Sequence, residues 1–129
     1  MLFEAHSIRS QVPRFFAGRL PDFNLGTAGG TSCDASLEAR CAEALAGAHG
    51  YTLAVNGRFQ GGFITRHYGD PAAGIHALQL EQAQLTYMEE AHPFRFVEER
   101  AARVQPVLRG LFDAILAWVE TRRALISAS

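Results

Sequence analysis

His6 ends the strand-like run Leu2-Phe3-Glu4-Ala5, and Glu81 ends Leu78-Gln79-Leu80. In α/β folds, ligands collect beyond the carboxyl ends of strands, so an imidazole and a carboxylate at two such tips are the first candidates for chemistry. An imidazole nitrogen can ligate a metal, and a carboxylate can take and return a proton. Each residue also has an ordinary reading. A lone histidine is most often a core or surface residue, and a glutamate closing a strand is most often solvated. The segment NGRFQGGFITRHYG, residues 56–69, sets Arg58 and Arg66 among Gly57, Gly61 and Gly62, with Asn56, His67 and Tyr68 alongside. Guanidinium forks bind carboxylates in bidentate fashion, and glycine lets a backbone pass close to a ligand; two solvated loop arginines are the alternative. Ser7 next to His6 does not make a serine nucleophile with its base. Neighbouring strand residues point to opposite faces, and no nucleophile elbow is present.

The elements that must position these residues alternate between strands and helices. Leu2 to Ala5 reads as a strand with Ala5-His6-Ser7 as its tip. Ser10 to Thr31 reads as a loop rich in Pro and Gly, with one short strand in Phe23-Asn24-Leu25-Gly26-Thr27. Asp34 is predicted to cap a helix that carries Leu37, Cys41, Ala44 and Leu45 at helical spacing and stops at Gly50. Tyr51 to Val55 is a strand ending in the turn dipeptide Asn56-Gly57, followed by a segment with no periodicity up to Gly74. Ile75 to Gln82 alternates His76, Leu78 and Leu80 against Ala77, Gln79 and Glu81, a strand with one polar face. Glu98 to Leu125 repeats apolar residues at Val104, Leu108, Leu111, Ile115, Trp118 and Val119, which is an amphipathic helix. Pro106 fits there only near the first turns or as a kink. Phe112 and Trp118 are expected in the core, His76 and His92 in structural or exposed positions, and Glu98 and Glu99 at the favourable end of the helix dipole.

These elements predict an α/β sandwich. Three or four strands make a small sheet with uncovered edges, so residues 1–129 read as one unit belonging to a larger domain. At 129 residues, 48% hydrophobic and 19% charged, the chain can bury a core. A net charge of -1 gives no electrostatic case for nucleic acid, and every one of the 12 basic residues is arginine. No apolar run is long enough to span a membrane, and Met1 leads directly into strand-like sequence rather than a signal peptide. Cys33 and Cys41 lack metal-knuckle spacing and read as reduced cytoplasmic thiols.

Four ordered blocks give the sequence a relationship. AHSIRS (5–10), PDFNLGTAGG (21–30), NGRFQGGFITRHYG (56–69) and HALQLEQAQLTYM (76–88) together resemble the C-terminal half of the N-formylglutamate amidohydrolase (N-formylglutamate deformylase) family. Where the family pattern has Asp-Ala-His, this chain has Glu4-Ala5-His6. The resemblance implies a partial three-layer α/β sandwich with a mixed, largely parallel sheet, like that of the zinc carboxypeptidases (phosphorylase/hydrolase-like). It implies that His6 ligates Zn2+ or another divalent metal, whose other ligands lie outside this chain because a catalytic zinc takes three protein ligands and a water. Glu81 would relay a proton between the attacking water and the departing amine. Arg58 and Arg66 would bind the two substrate carboxylates, with Arg9, Asn24 and Asn56 as further substrate contacts and His67 and Tyr68 near the developing oxyanion. The implied reaction is cleavage of N-formyl-L-glutamate to formate and glutamate in histidine degradation, in the cytoplasm. The partner is thus a small dicarboxylate, with self-association through an open half-sheet. Two alternatives stand beside this: a carboxypeptidase- or acylase-like hydrolase of another N-acyl amino acid, and a catalytically silent piece.

Overall fold

The structure is a computed structural model that describes residues 1–128. In chain order it contains β1 (Leu2–Ile8), β2 (Phe23–Gly26), α1 (Ala35–Ala46), β3 (Leu53–Val55), α2 (Phe63–Tyr68), β4 (Ala77–Ala83) and α3 (Glu98–Ser127), with 3-10 turns at Pro71–Ala73 and Gln84–Thr86. The strands form one sheet in the order β1-β4-β2-β3. β1 and β4 are parallel, β4 and β2 antiparallel, and β2 and β3 parallel. The sheet is mixed and mostly parallel, as the sequence implied.

Strand alternation divides the sheet into two chemically different faces. On one face Phe23, Leu25, Leu78 and Leu80 pack against Leu37, Cys41 and Leu45 of α1 and Val104, Leu111, Ile115 and Trp118 of α3. Asp34 caps α1 through Ser36 N at 2.8 Å, and Trp118 Nε1 donates to Ser36 Oγ at 2.8 Å, tying α3 to the same helix start. The other face carries Glu4 and His6 of β1, Gln79 and Glu81 of β4, and Asn24 and Gly26 of β2. Part of it is overlaid by the loop of residues 57–62 and by α2.

Several expectations need correction. β1 does not end at His6; it pairs with β4 from Leu2↔Ala77 to Ile8↔Ala83, so His6 lies within the strand. β4 has the polar face that its alternation predicts, in Gln79 and Glu81, but the strand is buried along its whole length, because strands flank it on both sides and α2 covers part of its polar side. The segment after Asn56 contains a helix, α2, which lacks an apolar stripe: Phe63, Ile64 and Tyr68 are exposed and Thr65 is buried. α1 stops at Ala46, with Gly47 as its cap, before reaching Gly50. Pro106 lies inside α3, beyond its first two turns. Phe112 is 44% exposed rather than in the core, and packs edge-on against Phe3 at 5.0 Å. Among the described residues, no helix is long and apolar enough to cross a membrane.

Candidate active site

The polar face is organised in rows that run across the strands. The first row is Glu4, Gln79 and Gly26, which are register partners across β1, β4 and β2. Gln79 Oε1 accepts from Gly62 N at 2.6 Å. Glu4 Oε2 accepts from Thr65 N at 3.1 Å and from Thr65 Oγ1 at 2.7 Å. Gly62 caps α2 without a side chain, so the two strand residues satisfy backbone N–H groups that a helix start otherwise leaves unpaired. At Gly26 a Cβ would stand 2.5 Å from the carbonyl carbon of Gln60 and 2.5 Å from Gly61 N. The loop backbone therefore lies directly on β2. Gly61, at φ +110, would bring a Cβ within 2.7 Å of Thr65 Cγ2. This row holds the loop and α2 to the sheet.

The next row is His6, Glu81 and Asn24, again register partners on β1, β4 and β2. Adjacent strands lie about 4.8 Å apart, so the three side chains leave the sheet as neighbours on one face. The His6 side chain is 49% exposed, with its Nε2 3.3 Å from Glu4 Oε1. Glu81 is buried, and no described residue donates a hydrogen bond to its carboxylate. Burial pushes the Glu81 pKa above the ordinary glutamate value, while the nearby His6 charge works the other way. Asn24 is buried; its Nδ2 donates to Pro21 O at 2.9 Å and to the backbone carbonyl of Glu81 at 3.2 Å. Asn24 Oδ1 has no hydrogen-bond partner, an unusual state for a buried amide oxygen. Glu4 behaves in the opposite way to Glu81. Burial acts to raise its pKa, but hydrogen bonds from Thr65 and His6 outweigh burial and leave it lowered.

A buried carboxyl without donors, beside an exposed imidazole, is an arrangement suited to proton transfer. For a metal, the donor set is partial. Among the described residues, no group of three His, Cys, Asp or Glu side chains could hold an ion, whereas a catalytic zinc needs three protein ligands. His6 fits as one ligand of such a set.

The remaining predicted residues are distributed over the loop and α2. Exposed Arg58 donates through Nη2 to Phe15 O, and exposed Arg66 donates through Nη1 to Gly61 O at 2.7 Å. His67 stacks on Phe63 at 4.8 Å and meets Tyr68 edge-on at 4.7 Å. Asn56, at φ +49, is fully engaged. Its Oδ1 accepts from Thr27 N at 2.8 Å and Gly29 N at 3.2 Å, and its Nδ2 donates to Thr27 Oγ1 at 2.8 Å and Glu38 Oε2 at 2.9 Å. Arg9 is exposed just beyond β1. Ser7 hydrogen-bonds Tyr87 at 2.8 Å on the opposite face from His6. The structure thus brings together His6, Glu81 and Asn24. No hydrogen bond or ion pair joins Arg58, Arg66, His67 or Tyr68 to that row among the described residues.

Sequence reasoning missed Gln79 and Thr65, and marked Glu4 only as a departure from the family's Asp-Ala-His pattern. Glu4 and Gln79 each stand two residues before a candidate and so share its face, a usable signal. Thr65 had none. Two clefts lie elsewhere. One of about 690 Å³ runs between Arg19, Tyr51, Thr86 and Arg100, and one of about 500 Å³ adjoins His76, Trp118 and Arg122; His6 and Glu81 line neither.

Comparison with known proteins gives a consistent result. A family model described as N-formylglutamate amidohydrolase matches residues 1–88. The N-formylglutamate deformylase of Pseudomonas putida is 58% identical over 118 residues, covering 92% of this chain and 44% of the relative. That of Pseudomonas aeruginosa is 53% identical over 124 residues, covering 96% and 47%. The crystal structure of N-formylglutamate amidohydrolase from Ralstonia eutropha JMP134 matches with a TM-score of 0.71 at 29% identity, covering 95% of this chain and 43% of that one. The chain therefore spans less than half the length of the curated relatives it matches.

Proposed function

The chain belongs to the N-formylglutamate amidohydrolase family, and from that premise we propose that it supplies the Glu81 side of an active site that hydrolyses N-formyl-L-glutamate to formate and glutamate. The observation that carries this reading is the register pairing of His6 with Glu81 on one face of the sheet. Glu81 accepts a proton from the attacking water and delivers it to the departing amine of glutamate. A carboxyl whose pKa is raised by burial is closer to neutrality and better matched to both transfers. His6 would hold one position on a divalent metal, zinc or a similar ion, with the remaining ligands supplied from outside this chain. When bound, such an ion would supply Lewis-acid polarisation of the formyl carbonyl and would acidify water. Arg58 and Arg66 bind the two substrate carboxylates through the guanidinium nitrogens that their backbone contacts leave free.

The same reading gives the fold as part of a zinc-carboxypeptidase-like sandwich and places the reaction in histidine degradation in the cytoplasm. The outer edge of β1 has no strand partner among the described residues, which supports association through that edge. The incomplete ligand set favours a second statement: the chain alone does not turn over substrate.

The test is a family-length chimera in which this chain replaces the matching segment of the P. putida relative. Formate release from N-formyl-L-glutamate is expected to fall at least 100-fold in His6→Ala and in Glu81→Gln. Unchanged rates in both variants would overturn the assignment.

A further inference from the structure

The Glu4 carboxylate divides its two oxygens between two tasks. Oε2 receives both the backbone and the hydroxyl hydrogen bonds of Thr65, while Oε1 faces His6 Nε2 at 3.3 Å. An ionised carboxylate can only accept, so the ring nitrogen facing it must carry the hydrogen. An exposed carboxylate–histidine pair would normally fix neither partner, because ordering two free side chains cancels most of the attraction. Here one partner is already ordered. The Glu4 side chain is 14% exposed, held at two points by a buried threonine at the start of α2. Thr65 is in turn placed by Gly61, where any Cβ would collide with it.

We propose that Glu4 is the positioning residue for His6: clamped by Thr65, it takes the Nε2–H and so fixes the imidazole as the tautomer whose Nδ1 carries the free lone pair. Metal-bound histidines commonly donate their second ring N–H to a carboxylate, which sets both tautomer and ring orientation. The use of Nδ1 for ligation rests on the reading of His6 as a metal ligand. The tautomer assignment does not.

The experiment is 15N NMR of the His6 ring in this chain, at a pH where the imidazole is neutral, compared with the same chain unfolded in urea. The native protein is expected to hold the Nε2–H form at least tenfold more strongly than the unfolded chain does. Glu4→Ala should return the ratio to the unfolded value, and Glu4→Gln, which keeps an acceptor oxygen, should preserve part of the bias. Should Glu4→Ala fail to fold, Thr65→Val serves in its place, loosening Glu4 without touching it and giving an intermediate ratio. A native ratio equal to the unfolded one, or a folded Glu4→Ala with the native ratio, would overturn the proposal. Titrating Zn2+ into the family-length chimera, which supplies the remaining ligands, with and without the same substitutions separates the two readings. Zinc should shift the His6 Nδ1 resonance, with a 10- to 100-fold weaker affinity in Glu4→Ala. A biased tautomer that zinc does not touch leaves the positioning role standing and removes the metal assignment.

Discussion

His6 and Glu81 are direct register partners on parallel neighbours β1 and β4, so an exposed imidazole and a buried carboxyl leave the sheet side by side. In the family-length chimera, Glu81→Gln keeps the volume and removes the carboxylate proposed to move the proton. We expect kcat to fall by roughly 10²- to 10⁴-fold with KM little changed, in steady-state assays of formate release. A matching loss in KM alone would assign Glu81 to binding instead.

Glu81 and Glu4 should give opposite pH signatures in the stability of the chain. The folded pKa of Glu81 is raised, so its contribution is complete below the unfolded glutamate value and is lost as pH rises through the folded value. Glu81→Gln is therefore expected to raise Tm near neutrality, with the gain vanishing in acid below about pH 4. The folded pKa of Glu4 is lowered, so its contribution is present above the unfolded value and is lost as pH falls through the folded value. Thr65→Val should cost roughly 1–2 kcal/mol at neutral pH, and the difference from the native chain should shrink in acid. Thermal and urea melts across pH check both signs.

Gly26 lies directly beneath the backbone of Gln60 and Gly61. Gly26→Ala puts a methyl group where the loop must pass, and rigid backbone cannot yield as a flexible side chain would. A destabilisation of about 2–3 kcal/mol is expected. Hydrogen exchange should show lost protection concentrated in the loop and α2, with the helices on the opposite face retaining theirs.

Arg58 and Arg66 distinguish a dicarboxylate substrate from a substrate with one carboxylate. If each guanidinium binds one carboxylate, Arg58→Ala and Arg66→Ala in the chimera should each lower kcat/KM by similar factors, at least tenfold for a charge-assisted pair. A loss confined to one variant points to a different N-acyl amino acid.

The apolar half of the fold was legible because it obeys simple periods. Leu78 and Leu80 alternate in β4, and Leu37, Cys41 and Leu45 repeat on α1 behind the Asp34 cap; all these leucines and the cysteine are core residues. The polar half was not legible, because distant contacts decide it. α2 has no apolar stripe, and its first turn is held by Glu4, which is 61 residues away in sequence. β1 looked shorter than it is because an edge strand tolerates exposed His6 and Ser7. Glu81 alternates as a solvent-facing residue would, and only the neighbouring strands and the overlying segment bury it. As for the candidate site, the types of His6 and Glu81 could be read from the sequence, but their adjacency depends on a parallel register that no local pattern encodes.

The Glu4–Thr65 clamp also joins two parts of the chain that lie 61 residues apart in sequence. β1 carries the imidazole, and α2 carries Arg66, His67 and Tyr68. Because one carboxylate grips both, a displacement of the outermost strand drags the short helix along with it. The exposed imidazole of β1 and the arginine-bearing turn of α2 are thus fastened through one shared carboxylate.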